Sequence, residues 1–234
     1  VLARYAGITL SWDQIFHCWA DPGPYDLSMQ IVLATPDATM AAAWSEAFSG
    51  TDASIYNGSI LEVQCDALVS PANSFGFMDG GLDLAYSQHF GWDLQMRLRR
   101  QILERHGGEL LVGAAELVET GRTVPGLMIA APTMRVPMRL PEDSVNAYLS
   151  TRAALLAARD GRLPDGTPAS SRINVLSVPA MGTGVGRVSP TVCARQMRAA
   201  FDAVVISPAK LPTSWAEASH DHQLLYTSKP RRLQ

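Results

Sequence analysis

A short apolar run that opens into a glycine-rich loop and then a helix occurs twice in this chain. That pairing restricts the fold more than any other feature. The first copy is DALVSPANSFGFMDGGLDLAYSQH, Asp66 to His89. Ala67, Leu68 and Val69 read as a buried strand, Pro71 and Asn73 stop it, and Gly76, Gly80 and Gly81 precede a helix carrying Leu82, Leu84, Ala85 and Tyr86. The second copy runs from a strand at Ile173 to Val178 into Pro179-Ala180-Met181-Gly182-Thr183-Gly184-Val185-Gly186, with Ser189 and Pro190 as helix cap and first turn. Glycines let a backbone approach an anion closely, and the free N–H groups of a helix start point at it. Each loop alone is also compatible with a plain strand-to-helix turn.

The remaining pattern alternates strands with helices. Gln30 to Ala34 reads as a strand, and Asp37 or Thr39 caps a helix from Met40 to Phe48. Residues 54–56 and 60–63 read as strand pieces around Asn57-Gly58. A helical stretch broken near Gly91 continues to His106 with Leu94, Leu98 and Ile102 on its apolar face. Strands follow at 114–119 and 127–131, then an Ala/Leu-rich helix from Val145 to Arg159, and a last helix from Thr191 to Val204. Trp12, Ile15, Phe16 and Trp19 have helical spacing near the start. Such alternation predicts an α/β sandwich with a largely parallel sheet, and ligands of such sheets sit beyond the carboxyl ends of the strands. Both glycine loops fall at that edge, so a phosphate-bearing ligand clasped between them is the expected occupant.

Composition narrows the chemistry. The 234 residues are 47% hydrophobic and 18% charged, enough for a substantial core. A formal net charge of -3 gives no global field to recruit nucleic acid, and the basic residues Lys229, Arg231 and Arg232 read as a solvated tail. Three scattered cysteines, Cys18, Cys65 and Cys193, fit reduced thiols and a cytoplasmic setting. His17-Cys18 and His220-x-His222 lack further ligands at zinc spacing, so neither a metal nor a cofactor is expected. No apolar run reaches membrane-spanning length, and no signal peptide is visible. No GK[ST] follows either loop, and Gly182-x-Gly184-x-Gly186 has the wrong spacing for a dinucleotide fingerprint, which argues against a triphosphatase or a dehydrogenase.

At these residues the chain resembles a macrodomain, the ADP-ribose-binding module. Asp66-Ala67-Leu68-Val69-Ser70-Pro71-Ala72-Asn73 is similar to the family's DAIVNAAN segment, and Gly80-Gly81-Leu82-Asp83-Leu84-Ala85 to its GGGVDxAI segment. Val178 to Gly186 resembles its second, diphosphate-holding loop. Gly108-Glu109 with the 114–119 strand, and Leu127 to Pro132, fit two segments between them. The resemblance covers about residues 50 to 206, so residues 1–50 and 207–234 are expected to be extensions, the first docking a strand and a helix on the sheet edge.

The resemblance implies a three-layer α/β/α fold with a mixed sheet. It implies that Asp66, beside Ala67, accepts a hydrogen bond from the adenine amine. Gly80, Gly81 and the run Gly182, Thr183, Gly184, Val185 and Gly186 would hold the diphosphate. Asn73 and Asp83 would lie at the distal ribose, the first orienting it and the second activating a water that attacks the anomeric carbon. A carboxylate there suits a cationic ribosyl transition state, although a first-turn Asp is also favoured by the helix dipole alone. The chain departs from the family pattern at Asp79, which replaces a glycine, at Ser70, which replaces the first Asn of NAAN, at Gly186, where several hydrolytic members carry an aromatic, and at Tyr86, where histidine is common. Arg187 could contact phosphate. The implied function is hydrolysis of ADP-ribosyl linkages on protein, nucleic acid or O-acetyl-ADP-ribose. The alternatives are a non-catalytic ADP-ribose reader, an ADP-ribose 1''-phosphate phosphatase, and a structural protein that kept the fold without the ligand. The implied partner is ADP-ribose or an ADP-ribosylated macromolecule.

Overall fold

The computed structural model describes residues 3–5, 8–10, 29–207 and 210–231. Eight strands and six α-helices appear among them. β1 (Ala3–Tyr5) and β2 (Ile8–Leu10) form an antiparallel pair of their own. The body then runs β3 (Gln30–Thr35), α1 (Ala38–Ala47), β4 (Ser54–Asn57), β5 (Ala67–Ser70), α2 (Gly81–Phe90), α3 (Asp93–His106), β6 (Glu116–Glu119), β7 (Leu127–Ala130), α4 (Asn146–Asp160), β8 (Val175–Pro179) and α5 (Pro190–Phe201). A further helix, α6 (Trp215–Leu224), follows. The six strands β3 to β8 lie in the order β4-β3-β8-β5-β7-β6, all parallel except the antiparallel β6–β7 pair.

Alternation along the strands makes the three layers. Val69, Leu127, Ile129, Leu176 and Val178 point to one face, where they pack with Met40 and Trp44 of α1, Leu155 of α4 and Met197 of α5. Leu68, Met128 and Ala130 point to the other, against Tyr86 and Phe90 of α2 and Leu94, Leu98 and Ile102 of α3. Strands buried on both faces read as continuous apolar runs, as parallel strands should. The outer edge of β6 is covered by side chains of α3. Arg97 donates from Nε to Glu119 O and from Nη2 to Thr120 O, both at 3.0 Å, and Gln101 Nε2 donates to Leu117 O at 3.2 Å. Unpaired carbonyls that could template another strand are thereby satisfied.

Two expectations are corrected here. Residues 60–63 are not a strand. Ile60–Glu62 form a short 3-10 turn because Ser59 and Glu62 make a reciprocal capping box. Nor do the first strand and helix dock on an edge. β3 lies between β4 and β8, and α1 packs into the main core, so residues 30–48 are integral to the same sheet. The helical spacing at residues 12–19 lies outside the described residues. Among the described residues no helix is long and apolar enough to cross a membrane.

Glu116 is 3% exposed at the start of β6, where its carboxylate pairs with Arg105 at 2.5 Å and His106 at 2.6 Å at the end of α3. Removing a buried acceptor of charge-assisted bonds leaves its partners unsatisfied, and Glu116→Ala should lower stability by about 2–3 kcal/mol in urea unfolding. An unchanged midpoint would contradict this reading of the α3–β6 junction.

Candidate functional site

A cleft of about 550 Å³ lies across the carboxyl ends of β3, β8, β5 and β7. Its residues come from five segments, each the continuation of a strand of the sheet or the turn after one. Ala34 and Thr35 end β3 and Pro36 follows it, Ser59 and Ile60 follow β4, and residues between Pro71 and Asp83 follow β5. Thr133, Met134 and Pro137 follow β7, and Ala180 to Gly186 follow β8.

The two glycine loops meet here. Gly80, Gly81, Gly182, Thr183, Gly184, Val185 and Gly186 all line the cleft. The start of α2 has no side-chain cap, so its first N–H groups are open. In the second loop the turn is closed by Val188 N–H donating to Gly182 O at 3.1 Å and Arg187 N–H donating to Gly184 O at 3.2 Å. Among the described hydrogen bonds, the N–H groups of Gly184, Val185 and Gly186 have no acceptor in the protein. Two sets of unused N–H donors on one cleft are chemically suited to an anion. Gly182 takes φ +75, which favours glycine, whereas Gly186 is required for space: a Cβ there would sit 2.4 Å from Gly182 O and 3.1 Å from Leu140. Arg187 adopts φ 58, and its side chain is not part of the cleft lining.

Asp83 stands in the first turn of α2, 7% exposed, and lines the cleft. Its Oδ1 accepts from the Ser70 hydroxyl at 2.5 Å. Its Oδ2 accepts no bond from a described residue, and it is not among the sealed polar atoms without partners, so it opens to the cleft. Burial pushes the carboxyl up to about 6, opposed by the Ser70 hydrogen bond. Ser70 is fully buried at the end of β5, so the residue replacing the family's Asn fixes the rotamer of the candidate catalytic acid. Tyr86, also fully buried, donates its hydroxyl to Val69 O at 3.0 Å and pins α2 to β5. Burial holds its phenol well above the usual value, so it is a strut rather than a proton shuttle.

Asn73 lines the cleft, yet its amide is mostly taken up within its own loop. Nδ2 donates to Phe77 O at 2.8 Å, and Oδ1 accepts from Phe75 N–H and Phe77 N–H, each at 3.2 Å. It holds the shape of the first loop and keeps one N–H for a ligand. Asp79 lines the cleft and is exposed.

Asp66 and Ala67 are not brought to the cleft. They stand at the amino end of β5, one strand length, about 13 Å, from its carboxyl end. The Asp66 carboxylate accepts from Asn174 N–H at 2.8 Å and Val175 N–H at 2.9 Å, stapling β5 to the start of β8, and Ala67 is sealed in the core. The cleft residues not expected from sequence include Thr35, Ser59, Ile60, Phe77, Thr133 and Met134, and Ser70 stands behind the cleft against Asp83. Ser70 alone carried a signal, as a departure from the family pattern. Cys65 and Cys193 are free and buried, their thiols pushed up by burial to about 11 and about 12, so neither is a nucleophile; Cys18 lies outside the described residues. Among the described residues no three His, Cys, Asp or Glu side chains gather as a metal would require.

The Macro domain family model matches residues 69–197, more than half of the chain and the segment that builds most of this cleft. The chain belongs to the macrodomain family. This macrodomain is 34% identical over 146 residues to an uncharacterized protein of Aquifex aeolicus, covering 62% of this chain and 78% of that one. It is 32% identical over 140 residues to an uncharacterized protein of Aeropyrum pernix, covering 59% of this chain and 65% of the relative, just under two thirds. Among solved structures, the macrodomain of Mycobacterium tuberculosis DarG superposes with TM-score 0.51 at 20% identity, over 67% of this chain and 95% of that one. A mutant of the Oceanobacillus iheyensis macrodomain with ADPR gives TM-score 0.51 at 17% identity, over 65% and 78%. At these identities the structural likeness shows the three-layer fold.

Proposed function

We propose that this macrodomain binds ADP-ribose in the cleft and hydrolyses an ADP-ribosyl linkage there. The observation that carries the reading is Asp83, a nearly buried carboxylate beside two open sets of backbone N–H donors. The diphosphate lies between the N–H groups of Gly184 to Gly186 and the start of α2, leaving the distal ribose over the end of β5. Asp83 Oδ1 is held by Ser70, and Oδ2 takes a proton from a water as that water attacks the anomeric carbon. The C–O or C–N bond to the modified group breaks with its electron pair on the leaving atom, which collects a proton from solvent. The carboxylate also offsets the charge that develops on the ribosyl carbon. A structural neighbour with ADPR bound supports the ligand assignment.

A second reading, a reader that binds without turnover, is favoured by Asn73, whose amide is mostly committed to its own loop. Release of free ADP-ribose from glutamate-, arginine- and nucleotide-linked substrates, alongside calorimetric binding of ADP-ribose, separates the two. Binding with release that Asp83→Asn abolishes supports hydrolysis. Tight binding with equal, slow release by both proteins makes it a reader.

A further inference from the structure

With Asp66 at the far end of β5, another group must meet the nucleobase. The sheet order identifies where. In the proposed ADP-ribose pose the sugar is over β5 and the diphosphate over β8, and the cleft continues past β8 onto the ends of β3 and β4. There the lining is Thr35, Pro36, Ser59 and Ile60. Pro36 offers exposed apolar surface for a flat ring, with the largely buried Ile60 beside it, and the polar side chains there carry two hydroxyls.

Both hydroxyls have a free proton. Thr35 Oγ1 accepts from Asp37 N–H at 3.2 Å, and Ser59 Oγ accepts from Leu61 N–H at 3.3 Å. Neither donates to an acceptor among the described residues. The nearby carboxylates of Asp37 and Glu62 do not line the cleft. Asp37 accepts from Thr39 N–H and Met40 N–H to cap α1, and Glu62 accepts from the Tyr56 hydroxyl and Ser59 N–H. The two carboxylates that do line it, Asp79 and Asp83, belong to the loop after β5 and the start of α2.

We propose, on the basis of the ADP-ribose reading above, that the nucleobase is read by the Thr35 and Ser59 hydroxyl donors rather than by a carboxylate, so that the cleft accepts a 6-oxopurine in place of adenine. A carboxylate accepts only, and would select the adenine 6-amine over a 6-carbonyl. A hydroxyl donates to a carbonyl or a ring nitrogen and tolerates either base.

Titration calorimetry of the full chain with ADP-ribose and with its deaminated analogue, inosine diphosphate ribose, tests this. The two dissociation constants should agree within about threefold, whereas a site built around the amine would separate them by tenfold or more. Ser59→Asp keeps a good helix-cap residue and should move the preference toward ADP-ribose by about tenfold. Thr35→Val should weaken the inosine ligand more than the adenosine one. A native preference for ADP-ribose of tenfold or more overturns the inference and leaves the proposed function standing. So does a ratio that Ser59→Asp does not move in a protein that melts as the native one does. Binding of neither ligand overturns both.

Discussion

Asp83→Asn is expected to bind ADP-ribose within about threefold of the native affinity and to release it from a linked substrate about 1,000-fold more slowly, the size expected for losing a general base. Asparagine preserves shape and can still accept from Ser70, but it cannot take a proton from water. The carboxyl titrates at about 6 because it is desolvated. A base must be ionised, so native activity should rise roughly tenfold per pH unit below about pH 6 and level above it. The same burial has a stability cost. The folded carboxyl holds its proton more tightly than the unfolded one, so the fold loses stability as pH rises from the unfolded value near 4 to the folded value near 6. Above that window the cost is fully present, and Asp83→Asn should be more stable than the native protein by up to about 3 kcal/mol, a gain that vanishes near pH 4. Urea unfolding at pH 4 and pH 7 measures the difference. A gain equal at both pH values would mean that Asp83 is not desolvated as described.

Gly184→Val is expected to weaken ADP-ribose binding by more than about 100-fold while leaving the melting temperature within about two degrees of the native value, as for a surface change that touches nothing. A Cβ at Gly184 meets no atom within 4 Å, and its φ is not in the region reserved for glycine, so the fold has no objection. The added bulk occupies the space in which a phosphate would approach the loop. Two residues away the outcome reverses. Gly186→Ala places a methyl against Gly182 O and Leu140, so it should lower both the melting temperature and affinity. Thermal melts with and without ADP-ribose distinguish the pair. Native-like binding by Gly184→Val would remove this loop from the diphosphate site.

The sheet and both glycine loops were legible because each level of the sequence agreed. Apolar runs of strand length met turn residues, and the helix starts carried recognisable caps, Asp37 for α1 and Ser189 for α5. Asp66 was misplaced although the rule needed to place it was at hand. Loops that follow a strand lie at its carboxyl end, and Asp66 precedes β5, so it must lie at the other end. Residues 60–63 failed for a different reason: four residues, three of them apolar, cannot show whether they are a strand or a turn until Ser59 and Glu62 are seen closing their capping box. The Ser70–Asp83 bond and the Thr35–Ser59 corner were out of reach. Each joins residues at least thirteen positions apart through tertiary packing, and no local period encodes such a meeting.

A crystal structure with ADP-ribose bound tests the central claim most directly. The diphosphate should lie on the N–H groups of Gly184, Val185 and Gly186 and the start of α2, with the distal ribose and a water beside Asp83 Oδ2. An empty cleft under saturating ligand, or a distal ribose turned away from Asp83, would contradict it.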